Sequence, residues 1–203
     1  MTESKYTGVF AFEGDWDQNL RDMSSMRPTL ETLRDINGDD GFKFIHRRIG
    51  TTNELEYYVD KWLSEEPGES YDDYRVGYFA FHGGQGLISP GGGDVSLDDL
   101  AGWINGRAQG RTLYFASCST LDLETETIKD FLRSTGARAV VGSTKSVFNL
   151  ELAAFDLLLL DSLAYYHRRP HAADNYLRSP KRPHFKAFVE ELGLIIITPS
   201  SKP

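Results

Sequence analysis

The sequence predicts an α/β fold, a mostly parallel sheet with helices on both faces. Two observations predict it. Short apolar runs of strand length recur along the chain, and between them apolar residues repeat at the three-and-four spacing of amphipathic helices. Strands alternating with helices call for parallel pairing, with the helices crossing over the sheet. At 203 residues and 40% hydrophobic composition the chain can bury one substantial core, so a single domain over 1–203 is expected.

The elements follow in order. Residues 8–12 (GVFAF) form a continuous apolar run before Gly14, which suits a strand covered on both faces. Leu30, Leu33 and Ile36 then mark a helix, 42–45 (FKFI) a second strand, and Leu55, Tyr58, Val59, Trp62 and Leu63 a second helix. The third strand is 76–81. It is followed by a glycine-rich loop and a helix opened by Ser96, with Asp98 and Asp99 in its first turn, where carboxylates complement the helix dipole. The fourth strand is 112–116. A helix around 124–133 stops at Gly136, 137–141 (ARAVV) is the fifth strand, and 150–166 is a leucine-rich helix. Phe185, Phe188, Val189 and Leu192 mark one more helix before the sixth strand, 194–198 (LIIIT). Two stretches read as irregular: 82–96, rich in glycine, and 167–184, basic and proline-bearing, expected to be an exposed connection.

Composition narrows the function. A net charge of −8, spread through the chain, argues against a nucleic-acid partner and for a soluble protein that favours neutral or basic ones. The amino terminus (MTESKYTGVF) has neither a basic region leading into an apolar stretch nor an arginine-rich presequence, and a single cysteine cannot form an internal disulfide. Both features predict a cytoplasmic protein. The apolar run 150–166 carries Glu151, Asp156 and Asp161, costly in lipid, so it reads as a buried helix and no membrane partner is expected. The five histidines lack the spacing of H-E-x-x-H and no G-x-x-x-x-G-K-[ST] occurs, so no metal or cofactor is expected.

The chemistry concentrates at two strand ends. His82 and the only cysteine, Cys118, each follow an apolar strand at its carboxyl end, the edge along which parallel sheets gather functional residues. If the two strands are neighbours, the side chains lie about one to two strand spacings apart, on the order of 5–10 Å. The turn after Cys118 leads toward a helix whose amino terminus would favour the thiolate, and a nearby imidazolium would do the same. His82 can exchange protons near neutrality. Gly83 and Gly84 let backbone N–H groups approach a carbonyl and, with the amide of Cys118, could supply oxyanion donors.

Three segments carry a family resemblance: YFAFHGG (78–84), YFASCST (114–120) and the stretch 135–166 beginning TGARAVVGSTKSV. The first two resemble the signature blocks of the caspase-like cysteine peptidases, in which apolar strands run into His-Gly and into a small residue followed by Cys. The third is similar to the corresponding region of the CHAT branch, and the short segments suggest a small bacterial member. The resemblance implies a three-layer sandwich whose six strands are ordered 2-1-3-4-5-6, the last antiparallel. It implies that Cys118 is the nucleophile and His82 the general acid/base of a Cys-His dyad, and that the amides of Gly83 and Cys118 form the oxyanion hole. The substrate would be a protein or peptide, in a bacterial regulatory or defence pathway. Only residues 119–136 separate Cys118 from the fifth strand, too few for a long cleavable linker, so the enzyme is expected to act as one chain. Ser143 and Lys145 (GSTKSV) would face the substrate where caspases read an acidic side chain. Glu13 and Asp15, after the first strand, could instead read Arg or Lys; the two preferences stay open.

Two rival readings remain. The HGG loop also occurs in esterases, but ASCST lacks the flanking glycines of a G-x-S-x-G elbow. A caspase-like scaffold that no longer cleaves and serves as an interaction or signalling module is the alternative from another class.

Overall fold

The computed structural model describes residues 5–17, 19, 21–38, 41–66, 68, 70–146 and 149–201. Residues 1–4, on which part of the reading of the amino terminus rests, and 147–148 of the third family-like segment lie outside them.

Along the chain, β1 (Val9–Glu13) leads to α1 (Arg27–Asn37), β2 (Phe44–Arg48) and α2 (Thr52–Trp62). β3 (Val76–Ala80) is followed by three short strands, β4 (His82–Gly84), β5 (Leu87–Ser89) and β6 (Val95–Ser96). Then come α3 (Leu97–Ile104), β7 (Thr112–Ala116), α4 (Thr125–Thr135) and β8 (Ala139–Ser143). The chain closes with α5 (Asn149–Tyr165), α6 (Pro170–Leu177), α7 (Pro183–Glu191) and β9 (Leu194–Ile197). The main sheet has the order β2-β1-β3-β7-β8-β9, all parallel except β9, which runs antiparallel to β8. The fold class and strand order are those expected.

Strand alternation sorts the core into two layers. One face of the sheet gives Val9, Ala11, Tyr78, Tyr114 and Val141 to a cluster with Leu30 and Leu33 of α1 and Phe155, Leu159 and Leu163 of α5. The other gives Phe10, Phe12, Phe79 and Phe115 to a cluster with Leu55, Val59 and Trp62 of α2, Leu100 and Ile104 of α3 and Ile128 and Leu132 of α4. Register turns the second face into an aromatic ladder. Phe12 pairs with Phe79 and Phe79 with Phe115, their rings stacked at 4.8 and 5.2 Å. At roughly 1.5–3 kcal/mol for each fully buried ring or leucine, these layers hold β1, β3 and β7 together just before the edge where the candidate site lies.

Several local expectations are met by capping chemistry. The Ser96 hydroxyl accepts from Asp99 N at 3.0 Å and the Asp99 carboxylate accepts from Ser96 N at 3.2 Å, a capping box. α4 stops at Gly136, whose φ of 71° a residue with a Cβ adopts only at a cost. Others differ. Ile36 spaces as a core residue but is 73% exposed, because α1 turns only Leu30 and Leu33 inward. The stretch 167–184 contains α6, opened by Pro170, which buries Ala173 and Leu177. The glycine-rich stretch 82–96 is a small antiparallel sheet, β4-β5-β6. Among the described residues no helix is long and apolar enough to cross a membrane.

Candidate active site

β3 and β7 are neighbours, and Ala80 pairs with Ala116. His82 and Cys118 both stand two positions past that pair, at the carboxyl edge of the sheet. Phe81 and Ser117, at 1% and 2% exposure, anchor the two strand ends in the protein. His82 is exposed and Cys118 partly buried.

The turn that holds the cysteine is fastened on two sides. Ser119 takes a left-handed φ of 53°, unfavourable for a residue with a Cβ. Ser119 N donates to Lys145 O at 2.9 Å and Leu121 N to Ser143 O at 3.3 Å, tying the turn to the end of β8. Thr120 Oγ1 lies 2.7 Å from Ser117 Oγ and donates to Leu87 O at 2.9 Å, while Gly86 N donates to Thr120 O at 3.1 Å. The turn is thereby fixed to the β4-β5 hairpin. Gly83 shows how close the two come. A Cβ built on it would stand 2.5 Å from Thr120 Oγ1, 2.8 Å from Ser117 Cβ and 3.0 Å from Cys118 O. Only glycine lets the backbone after His82 rest against the cysteine turn.

The imidazole is oriented from β1. His82 Nε2 lies 2.9 Å from the backbone oxygen of Trp16, and the two rings pack edge to face at 5.5 Å. A carbonyl can only accept, so this contact fixes the proton on Nε2 and leaves Nδ1 as the basic atom of the neutral ring. Trp16 is itself held: its indole Nε1 donates to Glu13 Oε1 at 2.7 Å. The same carboxylate accepts from Met26 N at 2.6 Å and Ser25 Oγ at 2.8 Å, and its Oε2 lies 2.6 Å from His46 Nε2 of β2. Burial alone would push the Glu13 carboxyl up, but the combined hydrogen bonds from His46, Trp16, Ser25 and Met26 hold it below its ordinary value.

Not every residue expected to meet substrate reaches solvent. Glu13 is fully buried, its oxygens occupied by these donors, so it anchors the segment that carries Trp16 instead of lining a pocket. Ser143 is also buried, with its hydroxyl donating to Leu192 O and bonded to the Lys145 backbone. Lys145 is exposed and donates from Nζ to Glu190 O and Glu191 O at 3.0 and 3.2 Å, which caps the carbonyl end of α7. Asp15 is exposed, accepts from Arg48 Nη2 at 2.7 Å, and lines an open cleft of about 440 Å³ with Trp16, His82, Pro90 and Asp94. Cys118 does not line that cleft. The helix that follows the thiol, α4, starts only at Thr125, seven residues on, so its amino terminus does not adjoin Cys118 in the chain. Among the described residues no group of three or more His, Cys, Asp or Glu side chains could hold a metal ion.

A family described as a family of unknown function (DUF6642) matches residues 6–166. The chain belongs to this family. No curated protein matches the sequence. Solved structures match in shape. A secreted C11 cysteine protease from Bacteroides thetaiotaomicron, in complex with an irreversible peptide inhibitor, superposes with a TM-score of 0.57 at 14% identity, covering 86% of this chain and 58% of that one. Caspase-1 from Spodoptera frugiperda gives 0.53 at 10% identity, covering 98% of this chain and 88% of that one. The chain thus spans 58% of the length of the C11 protease. At these identities the likeness is one of fold, and the fold is caspase-like: the same mixed sheet with its last strand antiparallel.

Sequence reasoning about this member of the family missed Trp16 and the buried role of Glu13. The available signal was position. Trp16 lies just past β1, on the same sheet edge that singled out His82 and Cys118.

Proposed function

We propose that the chain is a single-domain cysteine endopeptidase in which Cys118 attacks and His82 moves the protons. One observation carries the reading: the register Ala80 with Ala116, which puts His82 and Cys118 at equivalent positions past two adjacent strands. The Trp16 carbonyl on His82 Nε2 adds to it, since it leaves Nδ1 to take the thiol proton. In the first step the Cys118 S–H proton passes to His82, and sulfur bonds to the carbonyl carbon of the substrate peptide. The amides of Gly83 and Cys118 hold the resulting oxyanion. As the tetrahedral adduct collapses, the C–N bond breaks and the amine leaves with the proton from His82. Water, deprotonated by His82, then cleaves the thioester and releases the acid and the thiol. The caspase-like fold, shared with two cysteine peptidases, supports this chemistry; the CHAT-like, bacterial and cytoplasmic assignments rest on the resemblance of motifs.

Alkylation tests it. Iodoacetamide near neutral pH should modify Cys118 quickly in the wild type and slowly in His82→Ala, and a peptide library should be cut by the wild type but not by Cys118→Ala. A thiol equally inert in both proteins, with no peptide cut, would mark the chain as an interaction module.

A further inference from the structure

The opposite edge of the sheet carries a second cleft. Because β9 runs antiparallel, its end at Ile197 pairs with Val140 at the start of β8, and Thr198 and Arg138 come together there. β8 separates this edge from the one that carries His82 and Cys118, five residues at about 3.3 Å each. The cleft, about 520 Å³, is lined by Arg138, Arg168, Arg169, His171, Asn175 and Thr198, among others, and no lining residue carries a negative charge. It therefore gathers cations in a chain whose net charge is −8.

The placement of these cations is electrostatically uncomfortable. Arg169 and His171 flank Pro170, the first residue of α6, whose opening turn has no acidic residue and no side-chain cap. A helix amino terminus is the positive end of the dipole and favours anions, so the Arg169 guanidinium there is repelled by it. Arg138 is nevertheless held in place, its Nη1 donating to Arg168 O at 2.8 Å. His171 Nε2 lies 2.8 Å from the Thr198 hydroxyl and 3.3 Å from that of Ser200. The carboxylate of Asp174, on the same helix, is engaged by Arg178 at 2.7 Å. The result is a concave surface of guanidinium, imidazole and hydroxyl donors around a helix start, the donor set that phosphate oxygens accept from.

We propose that this cleft binds a phosphate-bearing small molecule, with Arg138 and Arg169 as its principal ion partners. The volume suits a ligand of nucleotide size. The site is independent of the peptidase reading and lies largely beyond residues 6–166, the span that matches the family.

The test is calorimetric titration of the full chain with sodium tripolyphosphate and, separately, ATP without metal, at constant ionic strength. Saturable one-site binding of either is expected. Tripolyphosphate alone would assign inorganic polyphosphate, ATP alone would add recognition of the nucleoside, and both together the shared phosphate chemistry. R138Q/R169Q should bind roughly a hundredfold more weakly, about tenfold for each charge-assisted hydrogen bond removed, while R27Q/R34Q on α1 should bind like the wild type. N175D, which adds a carboxylate to the cleft without removing an arginine, should also bind more weakly and covers the case in which the double variant misfolds. No binding of either anion, or an affinity unchanged in both R138Q/R169Q and N175D, overturns the proposal.

Discussion

Removing the Glu13 carboxylate should release the segment that orients His82. The carboxylate makes an ion pair with Arg48 Nη1 at 3.6 Å, and its four hydrogen-bond partners are of two kinds. Ser25 Oγ and His46 Nε2 can turn from donor to acceptor, but Trp16 Nε1–H and Met26 N–H can only donate. In Glu13→Ala both donors lose their acceptor, at about 1–3 kcal/mol for the buried Met26 N–H and less for the part-buried Trp16 Nε1–H, so a loss of more than about 1 kcal/mol is expected before any cavity contribution. Glu13→Gln keeps one oxygen where Trp16 and Met26 need it and can donate its amide to Ser25 or His46, so it should lose less than about 2 kcal/mol. Urea denaturation at pH 7 measures both. The acid limb supplies a second check. Because the folded Glu13 carboxyl sits below its ordinary value, its contribution to stability is present above the unfolded pKa and is lost as pH falls through the folded one. That loss should be missing in Glu13→Gln. An alanine variant within about 1 kcal/mol of wild type, or a glutamine variant as unstable as alanine, would refute the reasoning.

Further outcomes follow from other contacts. The Asp156 carboxyl, buried under the sheet with the Tyr78 and Tyr114 hydroxyls donating to it, is pushed up by burial to about 7 from 3.8. The folded protein then holds a proton that the unfolded chain releases, so stability falls as pH rises from about 4 to 7, by at most about 4 kcal/mol at 1.36 kcal/mol per pH unit; Asp156→Asn should flatten that slope in denaturation curves taken across the range. Gly83→Ala should cost about 1–3 kcal/mol of stability and slow alkylation of Cys118, because the new methyl group must displace the buried Thr120 and Ser117 side chains and crowd Cys118 O; unchanged labelling would separate the hairpin from the thiol. Purified intact chain should cleave peptides without first being cut, as mass spectrometry before and after turnover would show; activity found only in two fragments would oppose it.

The fold was legible wherever burial is complete. β7 lies at residues 112–116, where the apolar run put it, and β3 begins at Val76, because a strand covered on both faces must be apolar throughout. Edges were harder. β2 extends to Arg48 with polar residues, since an edge strand carries side chains for solvent and for Glu13 of its neighbour. β8 starts at Ala139, two residues later than the run suggested, because Ala137 is taken up in a bridge to Gln109 and the pairing continues through Gly142 and Ser143, which carry no strand signal. α6 was hidden by the basic, proline-bearing stretch in which it lies. At the candidate site, strand ends and glycines pointed to His82, Cys118 and Gly83 as the residues now proposed, whereas Glu13 looked like a solvated charge. A buried carboxylate is recognised by its donors, and these come from Trp16, Ser25, Met26 and His46, which only the fold brings together.

The hydrogen bonds that join Thr120 to Leu87 and Gly86, and Gln85 to Asp122, weld hairpin and cysteine turn into one block. Transplanting either motif alone onto another scaffold would carry half a site. By the same logic, a binder that grips the hairpin through Gln85 and Gly86 gains leverage over the turn that carries the sulfur.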